Sequence, residues 1–138
     1  MSSASDVKPS YLLDVSVLVA FGVRSHTFHP RVAAWLQANN FSPLLTCSIT
    51  ELGFIRVLSQ ASQYPFDVDS ARQLLIQLKQ TTGLPFGFIT DDMDLSTLPA
   101  WVRTGNQTTD GHLVQLAQAH GAELTTLDLG IPGAFVIP

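Results

Sequence analysis

Four carboxylates in this chain of 138 residues stand where an acid is costly or conspicuous: Asp14, Glu51, Asp110 and Asp128. Asp14 interrupts the apolar run Tyr11-Leu12-Leu13-Asp14-Val15-Ser16-Val17-Leu18-Val19-Ala20. An ionised Asp in a dry core costs several kcal/mol, so it must be paired, metal-bound or placed at an open strand end. Asp128 closes a second such run, Ala122 to Leu127. Glu51 lies four and seven residues before Ile55 and Leu58, so it extends the apolar stripe of a helix. Asp110 lies three residues before Leu113 and seven before Ala117, at the inward edge of a helix start. Each acid has a bland reading on its own; Glu51, for instance, suits a helix N-terminus, worth about 0.3–1 kcal/mol.

Taken together they describe a chemistry. Carboxylates held close together repel and raise one another's pKa unless a cation joins them. Ligation by oxygen alone suits Mg²⁺ or Mn²⁺. Such ions polarise phosphoryl oxygens and activate water, which is phosphodiesterase chemistry. Other reactive residues offer less. Cys47 is the single cysteine, so it forms neither an internal disulfide nor a cysteine metal cluster, and it reads as a buried strand residue. His26 and His29 read as loop or capping residues, and His112 and His120 as surface or packing residues. Asp91, Asp92 and Asp94 form an acidic patch that reads as a solvated loop or the start of a short helix through Leu98. A Gly-rich phosphate loop and a GxSxG elbow are both missing.

The elements that must position the four acids alternate between strand and helix. Strands are expected at Tyr11–Leu13, 44–47 and 122–127; 86–89 reads as a third strand or an extended connection, and 134–137 offers a last short strand. Helices are expected from Val17, over 29–39, from Glu51 to Leu58, over 71–80 and over 108–120, with Gly121 as the stop. The buried stripe of the last helix is Leu113, Leu116, Ala117 and His120. Most connections are too long for hairpins, so the pattern is that of βαβ units: an α/β fold with a parallel sheet between two helical layers. In such sheets ligands bind beyond the carboxyl ends of the strands. Asp14 and Asp128 lie at strand ends, and Glu51 and Asp110 at helix starts that face the same edge. Four of the eleven acidic residues therefore converge.

Composition sets outer bounds. The chain is 46% hydrophobic and 13% charged, about half the usual charged fraction, which favours a folded globule over disorder. The expected organisation is a polar arm over 1–10 and a single domain over 11–138. The arm lacks the charged and apolar regions of a signal peptide, and no apolar run approaches the ~18 residues of a membrane span. The expected location is the cytoplasm. Seven basic against eleven acidic residues, net −4, argue against a broad basic face for nucleic acid. A nucleic-acid enzyme whose positive charge comes from divalent ions stays open.

At these positions the sequence resembles the PIN-domain ribonucleases, and in detail the VapC toxins of bacterial toxin–antitoxin pairs. The matching pieces run from Leu13 to Leu18, from Thr50 to Ser59, from Thr109 to Ala117 and from Gly121 to Asp128. The resemblance implies an endoribonuclease that cleaves RNA with Mg²⁺ or Mn²⁺ held mainly by Asp14 and Asp110. Glu51 and Asp128 would complete the acidic pocket, and Ser16 and Thr109 would orient carboxylates or waters. It further implies inhibition by a cognate antitoxin and a homodimer. Arg56 and Arg103 are candidate phosphate contacts. Two alternatives remain. One is a PIN-like RNA-processing nuclease without an antitoxin. The other is a non-catalytic receiver-like module, which needs a lysine at a late strand end, whereas the only lysines are Lys8 in the arm and Lys79 on a helix.

Overall fold

Residues 9–39 and 42–138 are described by a computed structural model. Five parallel strands form one sheet in the order β3-β2-β1-β4-β5. They are β1 (Ser10–Leu13), β2 (Leu44–Thr46), β3 (Phe86–Phe88), β4 (Ala122–Thr126) and β5 (Phe135–Val136). Between β1 and β2 run α1 (Val15–Gly22) and α2 (His29–Ala38). Between β2 and β3 run α3 (Ser48–Gln60) and α4 (Val68–Thr81). A short 3₁₀ turn, Gly105–Gln107, leads into α5 (Thr108–Ala119), which returns the chain to β4.

Alternation along β1 divides the core in two. Tyr11 and Leu13 pack with Val17, Leu18, Trp35, Phe54 and Leu58 from the first helices, while Leu12 packs with Leu113, Leu116 and Ala117 of α5. Successive strand side chains face opposite ways, so α1–α4 cover one face and α5 covers the other. This is the expected three-layer α/β/α arrangement. Leu12, Leu13, Phe54 and Leu116 are fully buried, each contributing roughly 1.5–3 kcal/mol of apolar burial.

The topology also fixes where a site can form. From β1 the chain steps outward to β2 and β3, then crosses back to place β4 on the other side of β1. The strand order therefore reverses between β1 and β4, and the crevice beyond their carboxyl ends is the natural ligand position.

Several boundaries differ from the sequence expectations for local reasons. Ser10 belongs to β1, paired opposite Ala122, so the ordered sheet begins one residue inside the expected arm; residues 1–8 lie outside the described residues. Helix α1 starts at Val15 because Asp14 itself caps it. Helix α4 starts at Val68, where Asp67 and Ser70 form a reciprocal capping pair. The stretch 89–104 contains no helix or strand, so the acidic patch is loop and no helix forms through Leu98. His120 leaves the expected buried stripe: α5 ends at Ala119, and His120 and Gly121 (φ 67°) turn outward to solvent. No helix among the described residues is long and apolar enough to cross a membrane.

Candidate active site

Asp14 sits at the turn from β1 into α1. Its backbone is extended (φ −75°, ψ 176°), and its Oδ1 accepts the Val17 N–H at 3.0 Å, the geometry of a helix N-cap. The same oxygen accepts the Ser16 hydroxyl at 2.6 Å. Its own N–H donates to the Thr125 carbonyl of β4 at 3.0 Å, extending the sheet to the site. Asp14 is 8% exposed. Burial pushes its carboxyl above the usual carboxylate range, bonds from Ser16, Thr126 and the Val17 N–H pull it back, and the charge of Asp128 pushes it up again.

Asp110 occupies the first turn of α5, where the helix N-terminus favours negative charge. Burial nevertheless raises its pKa, and the charges of Asp14 and Asp128 raise it further. Asp128 follows β4 in an exposed turn, with its Oδ1 accepting the Gly130 N–H at 2.7 Å. Three carboxylates from the two switch-point strands and the helix between them thus share one electrostatic neighbourhood, as the alternation of elements predicts.

Glu51 is placed differently. It lies in the first turn of α3, but its Oε2 accepts the Thr46 hydroxyl at 2.6 Å and the Lys79 ammonium at 2.5 Å. The neighbouring charge that raises Asp14 is that of Asp128, and the charges that raise Asp110 are those of Asp14 and Asp128. Ser16 touches Asp14 directly. Thr109 is exposed and borders a separate recess with Ile49, Asp91, Met93 and His112. Arg56 on α3 and Arg103 ahead of α5 are both exposed. Among the described residues, no three His, Cys, Asp or Glu side chains already converge as a metal cage.

The PIN-domain family model matches residues 11–132. The chain belongs to the PIN-domain family. It is 37% identical over 123 residues to Ribonuclease VapC38 of Mycobacterium tuberculosis, covering 87% of this chain and 86% of that one. It is 34% identical over 131 residues to Ribonuclease VapC44 of the same species, covering 89% and 92%. Ribonuclease VapC29, also from that species, is 32% identical over 121 residues, covering 87% and 86%.

In this PIN domain three supporting groups escape sequence reasoning. Thr126 is fully buried; its hydroxyl bonds Asp14 and accepts the Asp128 N–H at 3.0 Å, so one side chain joins two of the acids. An inward Thr at the end of a strand gives no signal of that link. Lys79 reaches Glu51 from α4 and also lies 5.4 Å from the centre of the Phe88 ring. His112, two residues beyond Asp110, is buried and pairs through Nε2 with Asp91 Oδ2 at 2.5 Å. Burial opposes ionisation of Asp91, but bonds from His112 and the Met93 N–H, with the charge of His112, hold its carboxyl below the usual range. This pair pins the 89–104 loop to the start of α5.

Gly111 serves the same packing. A Cβ there would lie 2.3 Å from Val102 Cγ2, so only glycine lets the loop close against the helix beside Asp110.

Proposed function

We propose that this PIN domain is a metal-dependent endoribonuclease toxin that hydrolyses RNA phosphodiester bonds and is inhibited by a cognate antitoxin. The observation that carries the reading is the aspartate trio at the switch point, with Asp14 and Asp110 both raised by burial and by neighbouring negative charge. A bound divalent cation offsets that cost. The donor set, carboxylate oxygen without Cys or His, fits Mg²⁺ or Mn²⁺, which keep several waters and need only one or two protein carboxylates. Asp14 and Asp110 would hold the ion, with Asp128 completing the pocket. When bound, it supplies Lewis-acid polarisation of the scissile phosphate and lowers the pKa of water.

The chain's own residues do the rest. Ser16, Thr126 and the Val17 N–H fix the Asp14 carboxylate in one orientation. Thr126 also ties the backbone of Asp128 to the same point. Glu51 contributes from the α3 side in partnership with Lys79, and Thr109 flanks Asp110 in the first turn of α5. Arg56 and Arg103, both exposed, would meet backbone phosphates, which matters on a chain of net charge −4. The relatives' names support RNA as substrate and the toxin–antitoxin setting. A homodimer in the cytoplasm completes the reading.

The test is cleavage of total RNA by wild type, Asp14→Asn and Asp110→Asn with titrated Mg²⁺ or Mn²⁺, with and without the antitoxin. Both variants are expected to lose cleavage and growth arrest while keeping their circular dichroism spectrum. Cleavage by either at the wild-type rate overturns the assignment.

A further inference from the structure

A groove of about 480 Å³ opens directly beside the acidic cluster. Its lining combines aliphatic side chains, among them Val19, Val57 and Leu127, with the rings of His26, Phe28 and Tyr64. Ser16 and Asp128 belong both to this groove and to the candidate active site. Two other hollows, one beside Phe21 and Leu78 and one beside Ala33 and Leu84, include none of the three aspartates.

The groove walls are arranged rather than merely apolar. The Phe28 N–H donates to His26 Nδ1 at 3.0 Å. With Nδ1 as acceptor, the neutral ring carries its proton on Nε2 and presents a donor. The two rings stand 5.9 Å apart at 44°. Phe28 remains 43% exposed, and the Arg31 guanidinium lies 5.7 Å from its ring centre while Arg31 also bonds the Ile137 carbonyl. That contact braces an exposed aromatic ring against the end of the chain. Tyr64 lines the same groove and brings a second aromatic ring and a hydroxyl to it.

Single-stranded RNA is gripped by stacking its unpaired bases on aromatic side chains, with donors meeting the base edges. A strand whose phosphate lies at Asp14 and Asp110 must put the adjacent base somewhere, and the surface that continues from Asp128 and Ser16 is this groove. We propose that the groove is a nucleobase subsite, which takes the base flanking the scissile phosphate against Phe28, with His26 Nε2 and the Tyr64 hydroxyl facing its edge. The proposal rests on the ribonuclease reading and adds a substrate-selecting surface to it.

The experiment compares a short RNA spanning a mapped cleavage site with the same RNA made abasic on either side of the scissile phosphate. Wild type, Phe28→Ala and Phe28→Tyr are assayed for kcat and KM, and for RNA binding. Removing the base on one side is expected to lower wild-type kcat/KM by about tenfold or more, mainly through KM. Phe28→Ala should lower kcat/KM on intact RNA similarly and be insensitive to the abasic change, and Phe28→Tyr should restore both. If the losses from Phe28→Ala and from the missing base multiply independently, the base does not rest on Phe28 and the proposal fails. It also fails if Phe28→Ala cuts RNA normally but loses antitoxin binding, because the groove then belongs to the protein partner. RNA that is cut normally whether or not the flanking base is present removes the subsite alone. A wild-type protein that neither binds nor cuts RNA removes the ribonuclease reading with it.

Discussion

Replacing Gly53 by Ala should move the catalytic edge through packing alone. Gly53 lies inside α3, where Ala is ordinarily the better residue by about 1 kcal/mol. Here a Cβ would stand 2.3 Å from Val15 Cγ2, with Cβ and Cγ1 of the same valine at 3.5 Å. Val15 is the first residue of α1 and directly follows Asp14. Its branched side chain is stiff in a helix, so α1 and α3 must separate by roughly 1 Å to reach an ordinary contact. Overpacking of this kind costs about 1–3 kcal/mol. Less the helix gain, the net loss is about 0–2 kcal/mol, a fall in Tm of about 3–4 °C per kcal/mol for a domain of this size. The functional loss should be larger than the stability loss, because misplacement by ~1 Å can cost on the order of 10²-fold in rate. Urea melts give the first quantity, and RNA cleavage well below the transition gives the second. Gly105→Ala is the control, since nothing lies within 4 Å of its Cβ. A Gly53→Ala protein that melts and cuts RNA like wild type would refute a fixed α1–α3 approach as the support for Asp14.

Other perturbations probe the site from different sides. The raised pKa of Asp14 means that its stabilising contribution is fully present below the unfolded value, near 3.9, and is lost as pH rises through the higher folded value. Asp14→Asn keeps an N-cap acceptor, so without divalent cation it should raise Tm at pH 7 and flatten the decline above pH 4; a lower Tm at pH 7 would contradict a strained carboxylate. Asp110 is raised in the same sense, so cleavage by wild type should weaken as pH falls from neutral, and a rate flat down to pH 4 would deny the aspartates their role. Thr126→Val removes a buried hydroxyl with almost no change of shape and should cost about 1–3 kcal/mol in a urea melt, with Thr126→Ser recovering most of it; equal melting of all three would show the link to be unimportant. The Lys79–Glu51 side chains are 26% and 21% exposed, between surface and buried pairs, so a double-mutant cycle with Lys79→Met and Glu51→Gln should give a coupling of about 1–2 kcal/mol. A coupling near zero would mark the pair as solvated.

Much of this protein was legible in its sequence because the relevant rules are local. Apolar runs of strand length, helical spacing and capping residues located the helices and the strands β1, β2 and β4 among the described residues, with errors at their ends, while 86–89 stayed open between a strand and an extended connection until β3 was seen to pair with β2. Parallel βαβ order then put Asp14, Asp128 and Asp110 at one edge, since strand ends and the helix starts that serve them share a side whatever the packing details. The tertiary structure decided what local rules do not encode. Glu51 shares the edge, but its carboxylate is held by Lys79, 28 residues away on another helix. Thr126 joins Asp14 to Asp128 only because β1 and β4 are neighbours in the sheet. Gly53 and Gly111 are exceptions to helix propensity that make sense only against Val15 and Val102. The groove at Phe28 arises where α1, α3 and the turn after β4 meet. Periodicity reports which face of an element is buried; which partner that face meets, and at what distance, is set by packing between segments far apart in the chain.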